Sequence, residues 1–281
     1  MSYPLNELYR VIGISKQAIN QYRRRQVIFE DHLYELIAEA QAWRKMHPGC
    51  GVEKLYYALK PSFIGRDRFI EIMMEAGFRL KKSKNYRRTT YAGRIRYPNL
   101  IKGMKIQAPS IIWQSDITYL PVGTNCYYAV FIIDVYSKKI VGYKVSKTMR
   151  AIANVEALTM ALRTHGPPKI HHSDRGSQYG SHDYTSLLKQ HKTQISMGLK
   201  AQENAYAERV NRTIKEEYLQ PWQAKTYEQL QIQVTKAVKH YNYQRPHMHL
   251  NNLAPVSFEQ LYQNDKAFIK PRITIFDDNN L

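Results

Sequence analysis

The stretch Ile111-Ile112-Trp113-Gln114-Ser115-Asp116-Ile117-Thr118-Tyr119-Leu120 decides the fold. Its β-branched and aromatic residues predict a strand. An aspartate is poorly suited to the middle of a strand, and Ile111, Ile112, Ile117 and Leu120 around it predict burial. A carboxylate buried there needs a cation or several hydrogen-bond donors. Asp116 therefore marks a candidate site as well as an element.

Downstream, Cys126 to Asp134 and Ile140 to Val145 predict two more strands, joined by the turn Tyr136-Ser137-Lys138-Lys139. Apolar positions Ile152, Val155, Leu158, Ala161 and Leu162 predict a helix over Arg150 to Thr164, ending before Pro167-Pro168. Lys169 to Ser173 and Thr193 to Met197 read as short strands separated by a helix from His182 to His191. Helices follow over Asn204 to Leu219 and Tyr227 to Tyr243. Three strands, then strands alternating with helices, imply an α/β fold with a mixed sheet covered on both faces.

Upstream of Pro109 the pattern is helical. A short apolar helix carrying Leu5, Leu8, Tyr9 and Ile12 meets Gly13, and Ser15 caps a second helix from Lys16 to Arg25. This is a helix-turn-helix pattern whose second helix offers Gln17, Asn20, Gln21 and Arg24 to base edges or phosphates. A generic helical hairpin has the same pattern. A longer helix over Asp31 to Met46 stops at His47-Pro48-Gly49, and two more fit Gly51 to Leu59 and Arg66 to Ala76. The division read from this pattern is 1–78 helical DNA-binding region, 79–108 basic linker, 109–265 catalytic core and 266–281 tail.

The chain has 281 residues, enough for a sizeable core. With 42 basic and 23 acidic residues its net charge is +19, which favours a polyanionic partner such as nucleic acid. Ala76 to Ser115 contains no acid and includes Lys81, Lys82, Arg87 and Arg88, with Tyr86, Tyr91 and Tyr97 interleaved. Such a segment suits a phosphate track, and equally a solvated linker. Only Cys50 and Cys126 occur, too far apart for a CxxC zinc site. With no apolar run of membrane-spanning length and no signal-peptide pattern, the reading is a cytoplasmic, nucleoid-associated protein without a membrane partner.

Two further carboxylates complete the candidate site. Asp174 ends a strand in His171-His172-Ser173-Asp174-Arg175-Gly176, the strand edge at which α/β sheets place ligands. Glu208 shares a helical stripe with Arg212 and Lys215 at i, i+4 and i+7. Taken singly, an aspartate is more often a cap and the glutamate half of a surface ion pair.

The ordered strings WQSDITYL, HHSDRGSQYGS, ENAYAERVNRTIKEE and YNYQRPHMHLNNLAPVSF resemble the DDE transposases of the third bacterial insertion-sequence family. The resemblance covers most of the chain. It implies an RNase H-like integrase core preceded by small helix-turn-helix units, with Asp116, Asp174 and Glu208 as catalytic metal ligands. It also implies a pair of Mg²⁺ or Mn²⁺ ions, and double-stranded DNA at element ends and target as substrate. A homo-oligomer on DNA and a protein from an upstream reading frame are the implied partners. Arg175, Arg212 and Lys215 are then candidates to hold the DNA backbone. Between Asp174 and Glu208 lie 33 residues, slightly fewer than the family carries, with the shortening between Met197 and Asn204. Glu203 is the rival third acid, and Asp134 reads as structural. Arg245 reads as a partner for a carboxylate or DNA, and His247 with His249 as a weak metal pair. A regulator with an idle core and a nuclease for RNA/DNA hybrids share parts of this pattern.

Replacing Lys81, Lys82, Arg87 and Arg88 together by glutamine should weaken DNA binding. If all four touch phosphate, the log–log salt slope should flatten by about 3 to 4. An unchanged slope, read by filter binding across salt concentrations, assigns the segment to a plain linker.

Overall fold

The computed structural model describes residues 5–80 and 97–275. Lys81, Lys82, Arg87 and Arg88 lie outside the described residues. Two compact units are present. One comprises the described residues up to Met46 together with Gly51–Arg79, and the other His47–Cys50 together with the described residues from Leu80 onward.

The first unit is helical: α1 (Leu5–Ile12), α2 (Lys16–Met46), α3 (Val52–Leu59) and α4 (Arg66–Glu75). Ser15 caps α2, its hydroxyl accepting from the Ala18 amide at 3.1 Å. The two helices expected over Lys16 to Arg25 and Asp31 to Met46 are one helix of 31 residues. No glycine or proline falls between Lys16 and Met46, so nothing in Gln26 to Glu30 breaks the ladder. The unit's core gathers Leu36 and Ala40 of α2 with Val52, Leu55, Phe69 and Met73 of α3 and α4.

The second unit is built on a sheet. After the short β1 (Lys105–Ile106) come β2 (Ile112–Val122), β3 (Asn125–Asp134) and β4 (Ile140–Ser146), then α5 (Ala151–His165), β5 (Ile170–Ser173), α6 (His182–Gln190) and β6 (Gln194–Met197). Helices α7 (Ala205–Ile214), α8 (Gln220–Trp222), α9 (Tyr227–Tyr243) and α10 (Pro255–Asn264) follow, with β7 (Ile273–Thr274) last. The five-stranded order is β4-β3-β2-β5-β6. β2 pairs antiparallel with β3 and parallel with β5, and β6 extends the parallel half. This is the RNase H-like mixed sheet that the resemblance implies.

Alternation along the strands divides the core. Leu120, Val122, Phe131 and Ile133 face Val210 and Ile214 of α7 and Val234 and Ala237 of α9. Trp113, Ile117, Val130 and Ile132 face Ala157 and Leu158 of α5 and Leu188 of α6. Gly142 lets β4 close on α5, because a Cβ there would lie 2.3 Å from the Ala157 carbonyl oxygen. At the end of the sheet β1 pairs with β7, so ordered structure reaches into stretches read as linker and tail. Among the described residues, no helix is long and apolar enough to cross a membrane.

A π-helical turn, Lys215–Leu219, joins α7 to α8. Its wider backbone receives His47–Cys50. The Gly49 amide donates to the Glu217 carbonyl at 2.8 Å, and a Cβ on Gly49 would lie 2.2 Å from Glu217 Cα. His47 Nε2 donates to Gln244 Oε1 at 2.9 Å, so Nδ1 is left to accept from the Tyr218 hydroxyl at 3.2 Å. That pairing uses the neutral ring. Burial, with His240 adding to it, lowers the His47 pKa to about 4. Beside it Arg245 grips Glu217 with two hydrogen bonds, at 2.7 and 2.8 Å.

A histidine held neutral when folded contributes stability that is complete above its unfolded pKa of about 6.5 and is lost as pH falls through the folded value. The stability advantage of wild type over His47→Gln should therefore shrink by up to about 3 kcal/mol between pH 7 and pH 4. Urea titrations at several pH values check this, and a pH-independent difference removes His47 from the acid response.

Candidate active site

β2 carries the site, and α7 is fastened to it by amide side chains. Gln114 is fully buried. Its Nε2 donates to the Glu203 carbonyl at 3.2 Å, and its Oε1 accepts from the Tyr206 and Ala207 amides at 3.2 and 3.3 Å. Those amides lie in the first turn of α7, where N–H groups lack partners within the helix. A strand residue thus caps the neighbouring helix. Asn204 Nδ2 donates to the Ser115 carbonyl at 2.9 Å, and Asn211 Nδ2 donates to Asp116 Oδ2 at 2.8 Å.

Asp116 lies on the α7 side of β2 and pairs across the sheet with Phe131. Its Oδ1 accepts from the Ile117 amide at 2.9 Å. Asp174 follows β5 directly, and because Ser115 and Ser173 are paired in parallel register, both aspartates leave the sheet at one level. Asp174 Oδ1 accepts from the Gly176 amide at 2.9 Å. Glu208 is half-buried one turn into α7.

The charges act on one another. Burial, then Asp174, then Glu208 raise the Asp116 carboxyl to about 8. Burial raises Glu208, Arg212 opposes the shift, and Asp174 adds to it. Burial lowers the Lys215 pKa, and Asp116 opposes that. Asp116, Asp174, Glu208, Arg212 and Lys215 therefore share one electrostatic neighbourhood. Among the described residues, no three His, Cys, Asp or Glu side chains form a closed metal-binding cluster, and Asp116 and Asp174 are held by the local donors above. The donor set suits a hard divalent cation: carboxylate oxygens whose mutual repulsion a cation relieves.

Other residues singled out in the sequence have different partners. Glu203 accepts from the Leu199 and Lys200 amides and closes the loop after β6, which holds a 3₁₀ turn over Ala201–Asn204. Asp134 accepts from the Ser110, Tyr136 and Ser137 amides and the Ser137 hydroxyl, stapling the turn before β4. His171 pairs with the Tyr184 hydroxyl at 3.0 Å, His172 with Ser196 Oγ at 2.8 Å, and burial lowers the pKa of both. Arg175 is half-buried beside Asp174. Gln17, Asn20, Gln21 and Arg24 are exposed on α2, in the other unit. Sequence reasoning missed Gln114, Asn204 and Asn211. The only signal was their place inside the motif strings, next to the acids they serve.

Gln114→Ala leaves the α7 cap and the Glu203 carbonyl without partners in a dry interior. The expected cost is about 2 kcal/mol of stability, measured by chemical denaturation. A change below about 0.5 kcal/mol, the ordinary range for surface substitutions, contradicts the capping role.

Integrase core domain families match residues 107–202 and 189–255. An uncharacterised 31 kDa protein of insertion element IS600 from Shigella sonnei is 33% identical over 212 residues, covering 73% of this chain and 78% of that one. The transposase of insertion sequence element IS904 from Lactococcus lactis is 34% identical over 185 residues, covering 64% and 72%. A putative transposase for IS986/IS6110 from Mycobacterium tuberculosis is 29% identical over 165 residues, and there the match spans 59% of the relative's length. With the mixed sheet and the ordered carboxylate motifs, these similarities identify the chain as a member of the IS3 family of insertion-sequence transposases, with an integrase core domain.

Proposed function

We propose that this chain cleaves and joins DNA strands at insertion-sequence ends, with Asp116, Asp174 and Glu208 as ligands for a pair of Mg²⁺ or Mn²⁺ ions. The observation that carries the reading is the mutual electrostatic reach of three carboxylates from two adjacent strands and the fastened helix α7. Three like charges close together in a half-dry site are unfavourable unless a cation or protons neutralise them.

A divalent pair bound there would activate the attacking oxygen and stabilise the leaving one. The protein's part is placement. Asn211 orients the Asp116 carboxylate, and Gln114 with Asn204 keeps Glu208 at the sheet. Lys215, Arg212 and Arg175 border the acids, where cations suit the phosphates flanking the cut. Nicking by water and joining by a 3′-hydroxyl differ only in the nucleophile, so one site serves both. Gln17, Asn20, Gln21 and Arg24 on α2 are offered as the duplex-reading face.

Asp116→Asn should abolish nicking and joining of end-sequence DNA with either Mg²⁺ or Mn²⁺. DNA affinity should stay within about threefold, because basic groups carry the binding. Gel assays of cleavage, strand transfer and binding on the same preparation decide it. Parallel loss of binding makes Asp116 a structural residue, and wild-type cleavage restricted to RNA/DNA hybrids replaces the transposase reading.

A further inference from the structure

Lys138 is a costly residue in both backbone and side chain. It lies in the turn between β3 and β4 with φ at 62°, a left-handed conformation that glycine or asparagine adopts more readily. Only 8% of the residue is exposed, so its amine loses hydration. Burial lowers its pKa to about 7, Asp134 opposes that shift, and Arg209 on α7 adds to it. Asp134 does not explain the lysine, because that carboxylate already accepts from the Ser110, Tyr136 and Ser137 amides and the Ser137 hydroxyl. A methionine, similar in length and uncharged, would be the less costly occupant.

Two contacts receive the amine. Nζ donates to the Val135 carbonyl at 2.5 Å, within the same turn. It also lies 4.0 Å from the centroid of the Tyr206 ring, inside the roughly 6 Å of a cation–π contact. Tyr206 is in the first turn of α7, two residues before Glu208. Two residues turn an α-helix through about 200°, so ring and carboxylate leave α7 on nearly opposite sides. A rotation of α7 that draws the ring off the amine therefore swings Glu208 through the same angle. The Tyr206 amide is tied to β2 through Gln114, and the amine of Lys138 ties its ring to the turn after β3.

We propose that Lys138 is a positioning residue for Glu208, holding α7 through the Tyr206 ring at the rotation that keeps the Glu208 carboxylate with Asp116 and Asp174. This role rests on the reading of those three acids as metal ligands. Lys138 touches neither metal nor DNA in it, and acts only through the helix. A lysine that merely braced its own turn through the Val135 carbonyl would be energetically independent of Tyr206, and that difference is measurable.

The test is Mn²⁺ titration of the full chain bound to an end-sequence duplex, followed by the electron paramagnetic resonance of free Mn²⁺ at pH 6.5, where most of the amine keeps its proton. Lys138→Met and Tyr206→Leu should each weaken Mn²⁺ binding about tenfold, and the double variant should be no weaker than either single, because all three lose the same contact. Tyr206→Phe keeps the ring face and should stay within about twofold of wild type. Duplex affinity should stay within about threefold throughout. Circular dichroism checks that each variant is folded, and if Lys138→Met is not, the contrast between Tyr206→Leu and Tyr206→Phe carries the test. Additive losses in the double variant, Tyr206→Leu binding Mn²⁺ as wild type does, or Tyr206→Phe as weak as Tyr206→Leu would each overturn the role of Lys138 alone. Asp116→Asn is the control: Mn²⁺ binding indifferent to it overturns the metal-ligand reading, and the role of Lys138 with it.

Discussion

The hydrogen-bonded joint between β2 and α7 is the constraint on which the rest of the sheet-based unit depends. Asp116 and Asp174 are brought level by parallel pairing of adjacent strands, which the backbone ladder guarantees. Glu208 has no such guarantee. It sits on a helix that must be held at one height and one rotation against the sheet, and apolar packing of Val210 and Ile214 alone permits sliding. Gln114, Asn204 and Asn211 remove that freedom with directional bonds in a dry interior, where a half-made amide network costs more than none.

The same joint explains the site's electrostatics. Burial, with Asp174 and Glu208 close by, raises the Asp116 carboxyl to about 8, and the Ile117 and Asn211 hydrogen bonds to the same group oppose that shift by favouring its charged form. Past Lys215, α7 widens into the π turn, where Glu217 is bound by Arg245 and its carbonyl by Gly49. The helix that presents Glu208 is thus capped at its start by the sheet and fastened beyond its end by a segment from far upstream in the chain. π turns recur at functional sites, and here one supplies the seat for that fastening.

Strands β2 to β6 and helices α5, α6, α7 and α9 were legible because period-two and period-3.6 patterns survive in them, bounded by Pro167-Pro168 and Gly166. Asp116 stood out because aspartate is costly in a strand such as β2, whereas Asp174 and Glu208 were singled out by their place in the ordered motif strings. The fastening was not. Glutamine and asparagine carry no period, and whether Gln114 caps a helix or faces water depends on tertiary placement. The unbroken α2 was read as two helices, although Gln26 to Glu30 holds no breaker and the arginines before it favour an exposed helix. The π turn leaves no mark in composition, and the role of Gly49 appears only when Glu217 is seen against it.

Anomalous scattering from Mn²⁺ in crystals of the chain bound to an end-sequence duplex tests whether Asp116, Asp174 and Glu208 hold metal together. Manganese density is expected between Asp116, Asp174 and Glu208, with ligand distances of about 2.2 Å and Glu203 still on the Leu199 and Lys200 amides. Manganese bound by Glu203 in place of Glu208, or no manganese at these acids under conditions that support DNA joining, would contradict it.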